Sequence, residues 1–256
     1  MSPELAGRIL MPLAVIALLW PVPVLLSRAR WTSRAPRAAA VTWVVYALVT
    51  AYVLLLTLAL SADSWLIAGL LLLWMLGRLL QTVYTLRGSQ RRHQDALAMV
   101  AIYDPELRVH IIDDDRALAY CLPNGSQPMV VVTRGCLELA DDTELRAILA
   151  HERSHAQNRH DLLVAGFLAW QRIFPFVPSC RVAAAAVGAA TEAWADDEAA
   201  AHVSHDVTLR AIMRLGSGVP GGLDGVGWEP DAATLARVRR LLSQMPESRR
   251  FALQNP

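Results

Sequence analysis

Lysine is missing from this 256-residue chain, and all 24 of its basic residues are arginine. Net charge is nearly missing too, since 23 acidic residues leave only +1. The sum of charges therefore points to no partner. Cysteine is scarce. Cys121, Cys136 and Cys180 are odd in number and widely spaced, with no C-x-x-C pair. That pattern excludes a disulfide framework and a thiolate metal site, and the three read as small, partly buried apolar residues. There is no internal repeat, so a solenoid or propeller is excluded.

What the chain has is apolar length. Hydrophobic residues make up 54% of it and mean hydropathy is +0.33, above the roughly 45–50% apolar content of soluble domains. Residues 9–26 run without a charge, broken only by Pro12, Pro21 and Pro23. Residues 38–60 form a second uncharged run, and 65–84 a third with one arginine, Arg78, near its end. About 20 residues of helix cross about 30 Å of hydrocarbon, so each run has the length of a span. Arg78 can reach the headgroups along its stem. Trp31, Trp65 and Tyr84 stand at the margins, where interfacial aromatics belong. The first run is expected to be a retained span and not a cleaved leader, because its leading segment holds only Arg8 beside Glu4 and the segment after it is strongly basic.

Arginine placement orients these runs. The first connection carries Arg28, Arg30, Arg34 and Arg37, the second carries none, and Arg87, Arg91 and Arg92 follow the third. Basic loops stay in the cytoplasm, so the N-terminus is expected outside and everything after residue 90 inside. Set against apolar runs, these arginines do not make a nucleic-acid patch, and no direct nucleic-acid binding is expected.

From residue 90 the texture is that of a helix-rich α+β domain. Strands are expected at 108–112 and 129–133, with a hairpin joining 119–122 to 129–133 through Pro123-Asn124-Gly125. Strand 129–133 is the expected edge for an extended substrate. Asp141 and Glu144 form an acidic capping box that opens a helix running through His155. Residues 162–190 read as a buried or membrane-grazing helix pair, or as a fourth span. Glycine-rich 216–227 reads as a linker before a short helix at 232–242.

His151-Glu152-Arg153-Ser154-His155 matches H-E-x-x-H. Residues four apart share a helix face, so both imidazoles can reach one metal ion, with Glu152 beside it to take a proton from water. At this composition the pattern arises by chance in roughly 0.7% of chains. A catalytic zinc site needs a third protein ligand and an open position. Asp161 lies six residues after His155, at the offset where one metallopeptidase class carries its third histidine. That class has a glycine where this chain has Asn158, which tolerates the same left-handed turn. Glu192 is the other candidate, with Asp196 one turn later to orient a ligand histidine. Spacing alone leaves both open. His160, His202, His205 and Arg210 are candidates for stabilising an oxyanion or are solvent-facing, and His93 and His110 read as structural.

H-E-R-S-H, then Arg159-His160-Asp161, an apolar stretch ending in Phe174-Pro175, and E-A-W-A-D-D together resemble the BlaR/MecR-type antirepressor family. These are integral-membrane, gluzincin-like zinc peptidases, and the resemblance covers the three runs and residues of about 90 to 205. It implies His151, His155 and Glu192 as zinc ligands, Glu152 as catalytic base and Asp196 in support. Asp161 then becomes a helix-end or supporting residue. The chain after the motifs is too short for the penicillin-binding sensor of the best-known members, so β-lactam sensing is not expected.

The fold expected is a mostly α membrane protein, with a transmembrane region at 1–90, a zinc metallopeptidase domain at 91–215 and a linker with a short helix at 216–256. The function expected is a multi-pass cell-membrane zinc endopeptidase with its catalytic domain in the cytoplasm. Its partners would be the lipid bilayer and a protein or peptide substrate such as a transcriptional repressor. The alternative is a metal-binding signalling or scaffold protein that cuts nothing. An intact Glu152 argues against that, because binding alone needs no base.

Overall fold

The computed structural model describes residues 3–61, 65–122, 128–217 and 232–245. In chain order its elements are α1 (Pro3–Leu19), α2 (Pro21–Ser27), α3 (Trp31–Arg34), α4 (Pro36–Ser61), α5 (Trp65–Ala98), β1 (Ile102–Asp104), β2 (Val109–Ile112), β3 (Ala119–Leu122), β4 (Met129–Thr133), α6 (Arg134–Leu139), α7 (Asp142–Gln157), α8 (His160–Ile173), α9 (Pro178–His202), α10 (His205–Ser217) and α11 (Ala232–Gln244). Two compact units result. One combines residues 1–88 with 161–191, the other 89–160 with 192–256.

Three stretches are long and apolar enough to cross a membrane: Leu10–Ser27 and Pro36–Leu60 in the first unit, and Trp65–Ala98, which belongs to it as far as Gly88. They coincide with the three expected runs, with two differences. The third continues past residue 84 to Ala98, because no proline interrupts the polar sequence that follows. The first is broken between α1 and α2. Proline cannot donate to the carbonyl four residues earlier, so Pro23 leaves the Leu19 carbonyl without its helical partner. An unpaired carbonyl in an apolar setting costs several kcal/mol. Here the Ser179 hydroxyl of α9 donates to Leu19, and the Tyr46 hydroxyl of α4 donates to the Leu18 carbonyl at 2.7 Å.

Aromatic packing completes this unit. Trp43 meets Tyr46 and Phe167 edge-on, at centroid distances of 5.4 and 6.2 Å, against Ala183 and Val187. Met75, Trp170, Ile173, Phe174 and Cys180 form a second cluster with Leu19 and Leu54. Residues 161–191, comprising most of α8 and the first part of α9, thus pack in the same unit as the three apolar stretches. Outward-facing Leu13, Ile16, Leu48, Leu66, Leu73 and Leu80 are exposed, as surfaces against lipid tails would be.

The second unit is built on a four-stranded sheet in the order β1-β2-β4-β3. β2 and β4 run parallel, with His110 opposite Val131, while β3 and β4 run antiparallel, with Leu122 opposite Met129. The expected pairing of 119–122 with 129–133 is therefore present, and its turn lies outside the described residues. The expected strand 108–112 starts one residue late, because Arg108 has a left-handed φ of 55°. Strand 129–133 is not an edge. β4 is bonded on both sides and buried along its whole length, as Met-Val-Val-Val-Thr suits a central strand. The edge is β3.

Behind the sheet, Val109, Val130 and Val132 pack with Cys136 of α6, Ile148 and Leu149 of α7 and Ala211 of α10. The turn from β4 into α6 needs a glycine, since a Cβ on Gly135 would lie 2.0 Å from the Asp115 carbonyl oxygen. The expected capping box opens α7. Asp141 accepts from the Thr143 and Glu144 amides at 2.8 and 2.9 Å, and Glu144 accepts from the Asp141 amide at 3.1 Å. Glu144 is fully buried, with Arg214 at 3.1 Å. α11 packs on α10 through Leu209, Leu241 and Met245.

Candidate metal centre

α7 carries His151, Glu152 and His155, and α9 carries Glu192 and Asp196. On each helix the four-residue spacing puts the pair on one face. His151 Nε2 and His155 Nε2 are 3.1 Å apart. Glu192 closes the triangle, Oε2 lying 3.5 Å from His151 Nε2 and Oε1 3.4 Å from His155 Nε2. Tetrahedral zinc with bonds of ~2.0–2.1 Å sets its donors about 3.3 Å apart, so two imidazoles and a carboxylate at these spacings fit a zinc ion. Among the described residues, these three form the group of histidine and acidic side chains close enough to share a metal. Asp161 is not in it. That residue stands in the first turn of α8.

Behind the donors is a layer of supporting contacts. Asp196 is fully buried, its Oδ1 3.1 Å from His151 Nδ1. A carboxylate there fixes the ring so that Nε2 faces the centre. The Nδ1 of His155 lies 3.0 Å from the Nδ1 of buried His160, whose ring packs on Trp194 at 4.9 Å. Trp194 Nε1 donates to Glu198 at 2.7 Å, and Asn158 Nδ2 donates to the same carboxylate at 3.0 Å. Arg237 of α11 was not singled out by spacing. It donates to Asp196 at 3.0 and 2.6 Å and pairs with Glu192 at 3.2 Å.

The other sequence candidates sit elsewhere in this network. His160 supports His155. His202 faces solvent at the end of α9, with its Nδ1 2.8 Å from the Glu198 carbonyl. Arg210 pairs with Glu144 and Asp206, and His205 opens α10. His110 packs on Tyr103 and His93 on Tyr120.

The centre opens into a cavity of about 360 Å³, walled on one side by Leu118 and by Ala119 and Tyr120 of edge strand β3, and on another by Arg237 and Thr234. Burial pushes the Glu152 carboxyl up to about 7, with Glu192 adding to the rise and His151 opposing it. A carboxylate poised near neutrality suits proton transfer in both directions. Burial also works against a charge on His151, but Asp196 and Glu192 outweigh it and raise the ring to about 9. Burial lowers His155. Asp196 is held down at about 2 by His151 and Arg237 in spite of its burial. The same two carboxylates raise the Arg237 guanidinium above its ordinary value, against burial.

Comparison with known proteins fits this geometry. The model of peptidase family M48 matches residues 87–216, just over half of the chain. The chain belongs to peptidase family M48. The matched segment contains α7 and the acidic part of α9, and so all three donors. M48 is a family of metallopeptidases, typically of zinc, and the donor set suits that metal. A stretch of 62 residues, 24% of the chain, is 39% identical to a protease HtpX homolog of Aquifex aeolicus (strain VF5) and spans 20% of that relative's length. No solved structure matches. Membership in M48 places the chain among metallopeptidases at family level, a broader placing than the antirepressor resemblance.

Proposed function

We propose that this M48 chain is a membrane-anchored zinc endopeptidase. His151, His155 and Glu192 would hold the metal, Glu152 would act as base, Asp196 would support His151, and Asp161 is a helix-end residue. The carrying observation is the triangle of donor atoms at 3.1–3.5 Å with a half-buried Glu152 next to it in sequence. Residues 1–90 form the membrane region, 91–215 the peptidase and 216–256 a C-terminal extension.

Zinc held there supplies Lewis acidity and lowers the pKa of water towards about 7. The side chains do the rest. Glu152 accepts the proton of the attacking water at its carboxylate and passes it to the leaving amine. Asp196 keeps His151 in the tautomer with Nδ1–H facing back and Nε2 free. The β3 edge binds an extended peptide by main-chain pairing and presents the scissile carbonyl to the cavity. A protein substrate follows from such an edge better than a small molecule does.

The test is direct. Full-length protein in detergent is expected to hold about one zinc and to cleave an unfolded protein such as casein, with 1,10-phenanthroline abolishing cleavage. Zinc without cleavage of any protein would favour the alternative of a metal-binding signalling or scaffold protein. Absence of zinc would sink both.

The narrower reading, cleavage of a cytoplasmic transcriptional repressor, rests on the motif resemblance and on the arginines that flank the apolar stretches. A reporter fused after Arg92 is expected to read as cytoplasmic and one at Ala62 as external. The opposite pattern would place the peptidase outside and remove a repressor from reach.

A further inference from the structure

We infer that Arg237 on α11 is a positioning residue for the metal centre, which makes the C-terminal helix a working part of the active site. The inference rests on the ligand set proposed above. α11 lies beyond residue 216, where the family match ends, and nothing in that match assigns it a role.

One planar guanidinium holds two carboxylates with different tasks. Its Nε and Nη2 grip both oxygens of Asp196 at 3.0 and 2.6 Å, while Nη1 reaches Glu192 Oε2 at 3.2 Å. Asp196 in turn faces His151 Nδ1, and Glu192 faces both imidazoles. Arg237 thus sets the rotamer of the third ligand and, through Asp196, the orientation of the first. Arginine's rigid fork suits this, whereas lysine, a point charge on a flexible stem, cannot span both groups.

Charge gives a second reason. Glu152, Glu192 and Asp196 line one cavity, and Arg237 is the arginine lining it among the described residues. With a dication bound, Arg237 brings the sum of these charges to zero. Without it, buried Asp196 is left with His151 and an excess negative charge, and its carboxylate is free to turn towards the metal.

Docking of α11 has contacts besides this residue. Leu241 and Met245 pack on Leu209, and Arg240 pairs with Asp197. Local positioning and helix docking can therefore be separated.

The experiment compares full-length wild type, R237Q, R237K and R240A. It measures zinc affinity by chelator competition and records the visible spectrum of the cobalt-substituted protein, which reports ligand number and geometry. R237Q is expected to bind zinc roughly 10–100-fold more weakly with an altered cobalt spectrum, R237K to recover part of the loss, and R240A to match wild type in both. Wild-type affinity and spectrum in R237Q would overturn the proposal. So would an equal loss in R240A, which would make the effect one of docking. If R237Q does not fold, R237K against R240A decides in the same way. A wild-type chain that binds no metal would instead sink the ligand set on which the proposal stands.

Discussion

Glu152→Gln is expected to keep its zinc and to lose about 10²–10⁴-fold in the rate of peptide hydrolysis. Glutamine has the same shape and reach but cannot take a proton, so the change removes chemistry and leaves packing. The environment explains why this group should matter so much. Burial lifts its carboxyl to about 7, so near neutrality it accepts a proton from water and returns one to an amine with little driving force wasted either way. Zinc content and turnover measured on one preparation check it. A variant with full zinc and wild-type turnover would remove Glu152 from the mechanism, and loss of zinc would show that it serves the metal and not the proton.

Removing Glu192 is expected to act one step earlier. Glu192→Ala leaves two imidazoles, and metal affinity and hydrolysis should collapse together. Asp196→Asn keeps all three donors but weakens the hold on His151, for which the usual loss is about 10–100-fold. Asp161→Ala should leave zinc near wild type, because Asp161 sits in the first turn of α8 and not in the donor triangle. Zinc titration of the three variants ranks them. If Asp161→Ala lost its metal while Glu192→Ala kept it, the donor set would have to be redrawn around α8.

The two histidines were legible in the sequence because helical periodicity is local: four residues make one turn, and a capping box announced the helix. Glu192 was half legible. The same one-turn spacing links it to Asp196, but spacing could not choose it over Asp161, since the approach of α9 to α7 is a matter of tertiary packing. Arg237 was not legible at all. Its partner Asp196 lies 41 residues earlier, and one arginine among 24 carries no local mark. Signal for it would have come only from asking which cation answers three carboxylates in one pocket. The strand order failed for the same kind of reason. Val130, Val131 and Val132 are visibly a strand, but β2 pairs directly with β4 although β3 comes between them in the chain, a non-local choice, so local pattern alone takes the middle of the sheet for its edge. Apolar runs were the easiest part, although run length alone did not reveal that Pro23 would break the first of them.

That break also has a consequence in time. The donor for the Leu19 carbonyl is Ser179, 160 residues downstream. At a synthesis rate of about 5–20 residues per second, roughly 8–30 s pass before the hydroxyl that closes the break exists. Tyr46, only 28 residues from Leu18, arrives within the first few seconds. The N-terminal hairpin is therefore stapled early at one carbonyl and late at its neighbour, and the ribosome finishes the peptidase motif on α7 before the first apolar stretch can be fully seated. Biogenesis of the membrane part and assembly of the metal centre become interleaved, with α9 carrying both Ser179 and the candidate donor Glu192.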